Sequence, residues 1–436
     1  MRKKLNIKSI VLNDSTEISV NQISDNDEGI KFYIDKKISN NFDILKGLRQ
    51  TVSLHQIQVK TLENEICTLF NCFYTVRGEE KLYIHLIFNE IVWGKVDERN
   101  FKCNELIVEL ENTKKLKSKD FSENIEFTID DITIKHFINR TNYEIIISSS
   151  SIKNTNELFY YFAKYFELIN LIVGYFPIII KTTYKLNSIS YVVENEVVNK
   201  YVTDDRYCQK DFSILNNINN ENFKNAYIKY CDFSKNAVLQ LSMYFMAMMK
   251  TKSYVEINVV NLLQTLDGLY DKLSIFENEK EDFSKEMNND IIELVKNIDF
   301  SKINNKYKNS ININEKIINN IQRMNCITYR KKLKQMFKYM EYIVFEEELK
   351  KENDPFIYYD TFIEKCVNSR NKFSHVDEKE NYLCENENVV YIYKIVLIIR
   401  LRVLEEIGLE KEINLSLLSA HLMLINNYIK SVLSPK

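Results

Sequence analysis

The first half of the chain carries short apolar runs rich in Val, Ile, Leu and aromatic residues at 31–34, 54–59, 82–87, 106–110, 125–129 and 143–147. Polar clusters such as 97–100 and 117–124 separate several of them. Runs of this length with turn-like punctuation predict strands in a sheet-rich, sandwich- or barrel-like domain. The period then changes. Leu158, Tyr161, Phe162, Tyr165, Phe166, Ile169 and Ile172 recur at three- and four-residue steps, and Pro177 lies just past them. That spacing predicts a helix ending before the proline. Strand-like segments follow at 178–186 and 190–198, and an Asn-rich polar stretch at 204–222 marks a boundary zone. From about Phe223 helical spacing dominates, at 238–249, 259–273, 291–298, 327–348, 356–371, 389–407 and 415–432. Residues 304–314 are low in complexity and read as a loop or short linker. No internal repeat is present. The expected fold class is therefore α+β, with a β-rich domain over residues 1–203 and a helical region over 204–436.

Composition sharpens this picture. A length of 436 residues predicts two or three domains. With 45% hydrophobic and 28% charged residues the chain can bury a core and is not of the disordered class. A net charge of −2 excludes a globally basic nucleic-acid coat, though not a local basic site. The eight cysteines lack CxxC spacing and are too sparse for a disulfide scaffold, which points to free thiols in a reducing cytoplasm. The basic N-terminus is followed by polar breaks, unlike a secretory signal. The most apolar stretches, 166–180 and 389–404, contain Glu167, Asn170 and Pro177, and Lys394, Arg400 and Arg402, so no membrane span is expected.

Candidate chemistry is narrow. The only histidines are His55, His85, His136, His375 and His421, and none lies within four residues of another. HExxH and HxH metal sites are thereby excluded. The seven glycines are isolated, so GxGxxG, GxxxxGK[ST] and GxSxG are absent as well. One positive pattern remains: Ser369-Arg370-Asn371-Lys372-Phe373-Ser374-His375, at the end of an apolar helix whose inward face includes Phe362 and Cys366. It joins a permanent cation to a group that titrates near neutrality. RNA cleavage can use such a pair without a metal. The 2′-OH is a built-in nucleophile that needs a base, the pentavalent phosphate builds negative charge, and the leaving 5′-oxygen needs a proton.

On a regular helix five residues rotate by about 500°, which leaves Arg370 and His375 about 140° apart. Asn371 and His375 share a face. A two-fold dimer placing two such helices face to face would let both copies supply Arg, Asn and His to one cleft. The bland alternative makes His375 a helix-end residue facing the dipole and Arg370 a solvated surface residue. His55, His85 and His136 fall in or beside predicted strands and read as core or surface residues, and His421 reads as packing on the last helix. The basic group Arg330, Lys331, Lys332, Lys334 and Lys338 reads as a solvated helix face, with RNA phosphates the alternative.

RNKFSH at 370–375, together with the long apolar segment 389–409 ending in Ile-Gly-Leu, resembles the C-terminal helices of HEPN ribonucleases of the ApeA type. Residues 262–273 are similar to that family's opening helix and 327–340 to its middle helix. Asp267 stands where Glu is more usual. The β-rich half is similar in layout to the ApeA N-terminal domain. The resemblance implies a HEPN helical bundle that cleaves RNA by transesterification to a 2′,3′-cyclic phosphate, in abortive-infection defence against phage. By the same resemblance, Arg370 stabilises the phosphate, Asn371 orients it or His375, and His375 is the acid–base group. Lys372 would touch the RNA backbone; a solvated lysine is the alternative. No cofactor or metal is implied. The implied partners are RNA, a second copy in a homodimer or higher even-numbered oligomer, and a phage-derived trigger, with no membrane. The rival expectation is a HEPN scaffold or sensor that dimerises and binds a partner without catalysis.

Overall fold

A computed structural model describes residues 5–11, 17–26, 29–35, 52–77, 81–88, 90–96, 100–110, 124–138, 143–195, 218–249, 255–279, 285–299, 313–324, 327–338, 340, 355–375 and 385–413. These fall into two compact units. The first takes its residues from Met1–Asn170, Tyr175–Thr203 and Asn217–Lys224, and the second from Leu171–Gly174, Asp204–Asn216 and Asn225–Lys436.

The first unit is built on strands β1 (Ile7–Val11), β2 (Glu17–Ser19), β3 (Asn21–Asn26), β4 (Gly29–Asp35), β5 (Val52–Thr61), β6 (Ile66–Arg77) and β7 (Lys81–Ile87). They continue with β8 (Glu90–Trp93), β9 (Lys102–Leu110), β10 (Ile125–Ile129), β11 (Ile132–Ile138), β12 (Tyr143–Asn154), β13 (Ile179–Leu186) and β14 (Ile189–Asn195). The main sheet runs β10-β11-β12-β9-β13-β14-β8-β6-β5-β1-β2, and β7 and β4 lead out to β3 as a branch. All these pairings are antiparallel. The long strand β6 makes the branch: it pairs with β8 through Cys67–Phe70 and with β7 through Phe73–Arg77.

Strict alternation sets the buried face. In β9, β11 and β12 the inward set includes Leu106, Val108, Ile132, Ile134, Ile145 and Ile147, all buried. Helix α1 (Thr155–Val173) supplies Leu158, Phe162, Tyr165, Phe166 and Ile169 to the core, the stripe expected from the sequence. His136 of β11 is buried beside Tyr143 and hydrogen-bonds the Tyr165 hydroxyl through Nδ1. Burial pushes the imidazole from 6.5 down to about 3, so it stays neutral and takes no part in acid–base chemistry.

That neutrality has a pH consequence. Below pH 6.5 the unfolded chain binds a proton at His136 that the folded chain refuses until about pH 3. Stability should therefore fall as pH drops through this window, by an amount on the order of a few kcal/mol. The single tryptophan, Trp93, lies on β8 of the same sheet and reports its unfolding. In urea melts followed by Trp93 fluorescence, His136→Gln should lose less stability between pH 7 and 4.5 than the wild type does. Parallel losses would show that His136 does not carry the effect.

The second unit is helical. Its elements are α2 (Asn220–Asn236, of which the part through Lys224 belongs to the first unit), α3 (Val238–Met248), α4 (Val255–Tyr270), α5 (Lys285–Lys296), α6 (Ile313–Met324), α7 (Tyr329–Phe337), α8 (Pro355–His375) and α9 (Glu385–Glu406). Helix α2 already begins at Asn220, inside the stretch read as a boundary, and α6 begins inside the stretch read as a loop. Helix α4 packs against α3, α7, α8 and α9, while α5 packs against α6. Every residue from 392 to 404 of α9 is buried, including Lys394, Arg400 and Arg402. A helix that is apolar on all sides belongs in the centre of a bundle. The buried Arg400 guanidinium donates to the carbonyls of Leu171 (2.8 Å) and Ile172 (2.7 Å). The Ile-Gly-Leu step ends α9. Gly408 takes φ +85°, its N–H reaches the Glu405 carbonyl, and the Leu409 N–H reaches that of Leu404. This is the Schellman arrangement, and Leu404 and Leu409 are both buried. The predicted helix at 415–432 lies outside the described residues.

Candidate functional site

Helix α8 carries the Arg370–His375 motif. Phe362, Ile363, Cys366 and Ser369, at helical spacing, are fully buried and fasten the helix to its neighbours. Phe362 meets Phe337 of α7 edge-on. Arg370 follows directly on this inward stripe and so sits at its rim. Asn371 and Lys372 are half-buried, and among the described residues the Asn371 side-chain amide has no protein partner. The helix continues without a break to His375, whose side chain lies outside the described residues. The helix does not fray before the histidine, so within one copy Arg370 and His375 remain about 140° apart around the axis.

Two neighbouring helices hold Arg370. Its Nη2 donates to Asp267 Oδ2 of α4 at 2.7 Å, and its guanidinium lies over the Tyr329 ring of α7, 4.4 Å from the centroid. The Tyr329 hydroxyl in turn donates to the Leu263 carbonyl (3.2 Å), which fixes the ring. Lys332, one turn along α7, reaches the other Asp267 oxygen at 3.1 Å and Asp271 Oδ2 at 2.7 Å. The result is an alternating chain of charge, Asp271–Lys332–Asp267–Arg370. The Arg370 side chain keeps 32% exposure, so the guanidinium is anchored yet open to a solute. The short Asp267 side chain is long enough for this contact.

The neighbouring groups are set against other chemistry. Burial works against the Lys332 charge, but the Asp271 and Asp267 carboxylates outweigh it and hold the ammonium above its usual range. Burial, the adjacent Cys366 and the Asp267 charge push the Tyr329 phenol well up, against a smaller pull from Arg370. Burial likewise raises the Cys366 thiol far above neutrality. Near pH 7 Tyr329 is no base and Cys366 is no thiolate nucleophile. Arg370 is then a fixed cation at the open rim of a site whose buried companions are neutral.

Helix α7 ends at Phe337, inside the apolar pattern 327–348, of which residues 339 and 341–348 lie outside the described residues. Thr328 caps its start, accepting from the Lys331 N–H at 3.4 Å, and Lys338 leaves helical geometry at its end. The buried Arg402 of α9 stops it there. Its guanidinium donates to the carbonyls of Met336 (2.8 Å), Gln335 (3.3 Å) and Lys338 (2.7 Å), and to Glu405 (2.6 Å). The basic group on α7 divides accordingly. Arg330, Lys331 and Lys334 are exposed, as read from the sequence, with Lys334 paired to Asp360 at 2.6 Å. Lys332 departs from the solvated-face reading, at 17% side-chain exposure between two carboxylates. Arg370 likewise departs from the reading as a solvated residue.

His55 and His85 fall on β5 and β7, but their side chains lie outside the described residues, as does His421. Among the described residues no group of three or more His, Cys, Asp or Glu converges as a metal site. No helix among them is long and apolar enough to cross a membrane. The ion-pair partners Lys332 and Asp271, and the Tyr329 platform, are the parts of the site that sequence reasoning missed. One signal for them was present: Asp271 follows Asp267 by four residues, just past the end of α4, which places a second carboxylate close to the first.

A protein-family model described as Apea-like HEPN matches residues 260–413, which include most of α4, all of α7, α8 and α9, and the whole ion-pair chain. This bears out the resemblance carried by 262–273, 327–340 and 370–409, and the β-rich N-terminal region fits it. No curated protein and no solved structure matches the chain.

Proposed function

Starting from an Apea-like HEPN domain at residues 260–413, we propose that this protein is a metal-independent endoribonuclease acting in anti-phage defence by abortive infection. The observation that carries the reading is the Arg370 guanidinium, fixed by Asp267 and Tyr329 yet one-third exposed, on the same helix as Asn371 and His375. In this reading His375 takes the proton from the 2′-OH, or gives one to the departing 5′-oxygen. Arg370 balances the charge growing on the phosphate, and Asn371 orients the phosphate or the imidazole. The bond from the 2′-oxygen to phosphorus forms as the bond to the 5′-oxygen breaks, leaving a 2′,3′-cyclic phosphate. Lys372, half-buried beside the motif, contributes backbone contact. Residues 1–203 serve as a sensor or regulatory domain and supply no chemistry, while 204–436 hold the nuclease. The site of action is the cytoplasm, and a phage-derived component is the trigger. The test is incubation of purified protein with total RNA in the presence of EDTA. Cleavage that survives EDTA and is absent from His375→Ala supports the assignment.

One observation favours a second reading. The Arg370 charge is already met by a carboxylate, as it would be in a HEPN scaffold that binds a partner without catalysis. RNA untouched by the wild type, together with retained self-association, selects that reading.

The angle between Arg370 and His375 also bears on assembly. A regular helix through His375 puts the two groups on different faces, so a complete site draws on two copies. Light scattering at micromolar protein should show a dimer or a higher even-numbered oligomer. A strict monomer with full activity would overturn the shared-site arrangement.

A further inference from the structure

Arginine–carboxylate pairs are frequently bidentate, with two parallel N–H···O bonds. The pair here is not. Asp267 offers Arg370 one oxygen, Oδ2, because Lys332 holds the other, Oδ1, at 3.1 Å. Lys332 is itself kept in place by Asp271 at 2.7 Å and is packed at 17% exposure, so it cannot readily leave the carboxylate. Among the described residues, Nε and Nη1 of Arg370 donate to no protein acceptor. The stacked Tyr329 ring covers one face of the guanidinium. Nη2 carries two hydrogens, so with one given to Asp267 the other still forms a fork with a neighbouring N–H.

We infer that Lys332 is a positioning residue of the nuclease site: by occupying half of Asp267 it keeps Arg370 singly anchored, and reserves the remaining guanidinium edge for the oxygens of an RNA phosphate. The inference rests on the ribonuclease reading. Its physical content has two parts. A carboxylate shared by two cations offsets less of the Arg370 charge than one devoted to it, so more positive potential faces the substrate. A carboxylate pinned at one oxygen also cannot rotate to take the whole fork. Lys332 need not touch RNA for either effect. Without Lys332, Asp267 is free to close on Arg370 bidentately, which takes a second donor and more of the positive charge away from the phosphate.

The predicted signature is non-additivity. Lys332→Met should lower kcat roughly tenfold or more, the usual scale for groups that orient a reacting residue. KM should rise less than kcat falls, because the phosphate charge grows towards the transition state. Lys332→Arg, which can still bridge both carboxylates, should recover much of the loss. In an Asp267→Asn background there is no carboxylate to restrain, so adding Lys332→Met should change activity by less than about twofold. The same cycle can be read in the affinity for a 2′-O-methyl RNA oligonucleotide, measured by fluorescence anisotropy. This probe keeps the phosphates, lacks the nucleophile, and remains usable where a variant is too slow to assay. Circular dichroism and oligomer size accompany each variant. Equal losses from Lys332→Met in both backgrounds would mean direct substrate contact or simple packing, and would overturn the inference, as would wild-type kinetics in Lys332→Met. A wild-type chain inert towards RNA would remove the ribonuclease reading and this inference together. Cleavage by the wild type with an additive double variant would remove the inference alone.

Discussion

His375→Ala should lose RNA cleavage almost entirely while remaining folded and assembled. A general acid–base group contributes roughly 10²–10⁴-fold to rate, and no other described histidine can stand in for it. His136, the one histidine whose side chain is described, is buried and held neutral by its surroundings. Tyr329, stacked on Arg370, and Cys366, one turn upstream on α8, are held protonated by burial. The fold should tolerate the change, because His375 is the last residue of α8 and the helix is fastened upstream by Phe362, Ile363, Cys366 and Ser369. Cleavage rate, circular dichroism and light scattering on the same preparation are the measurements. Wild-type cleavage by a folded, assembled His375→Ala would falsify the nuclease assignment in favour of the scaffold.

Arg370→Ala should cost activity nearly as much, roughly 10²–10³-fold, since a fixed charge aimed at the developing oxyanion is often the largest single contribution. The structure adds a reason why this variant should fold. Truncating one partner of an ion pair is usually damaging because the other is left alone. Here Asp267 keeps Lys332 at 3.1 Å, so no carboxylate is stranded. The Arg370–Asp267 pair is partly exposed, and its loss should cost no more than about 1 kcal/mol. Arg370→Lys should rescue only in part, because an ammonium keeps the charge but not the planar fork, and it stacks less well on Tyr329. Asn371→Ala should reduce the rate less than either, as its part is orientation. Full activity in a folded Arg370→Ala would remove Arg370 from the chemistry while leaving His375 to be judged by its own variant.

The sequence by itself determined the class of fold and the identity of the motif, because both are written in local periods. The short apolar runs at 106–110 and 143–147 read as strand, and three-and-four spacing in α1, α4, α8 and α9 reads as helix. The long, mostly apolar segment of α9, closed by Ile407-Gly408-Leu409, was legible as a resemblance; its central burial and the left-handed Gly408 came from the structure. The Arg370–His375 spacing was legible for the same reason. Short strands such as β2 and β8 were harder to read, because three or four residues hold too little periodicity.

Tertiary structure decided what local period cannot carry. The end of α7 at Phe337 is one case: the apolar pattern runs on, but a guanidinium 64 residues further along, Arg402, takes up the last carbonyls. The partner of Arg370 is another. Asp267 lies 103 residues away in sequence and meets it only because α4 packs against α8, and Lys332 joins them only because α7 lies against α4. A carboxylate, an ammonium and a guanidinium on three helices carry no sequence signature of belonging together. Their interaction depends on distances of about 3 Å that only the packing of the bundle creates, and that packing turns a solvated-looking lysine into part of the site.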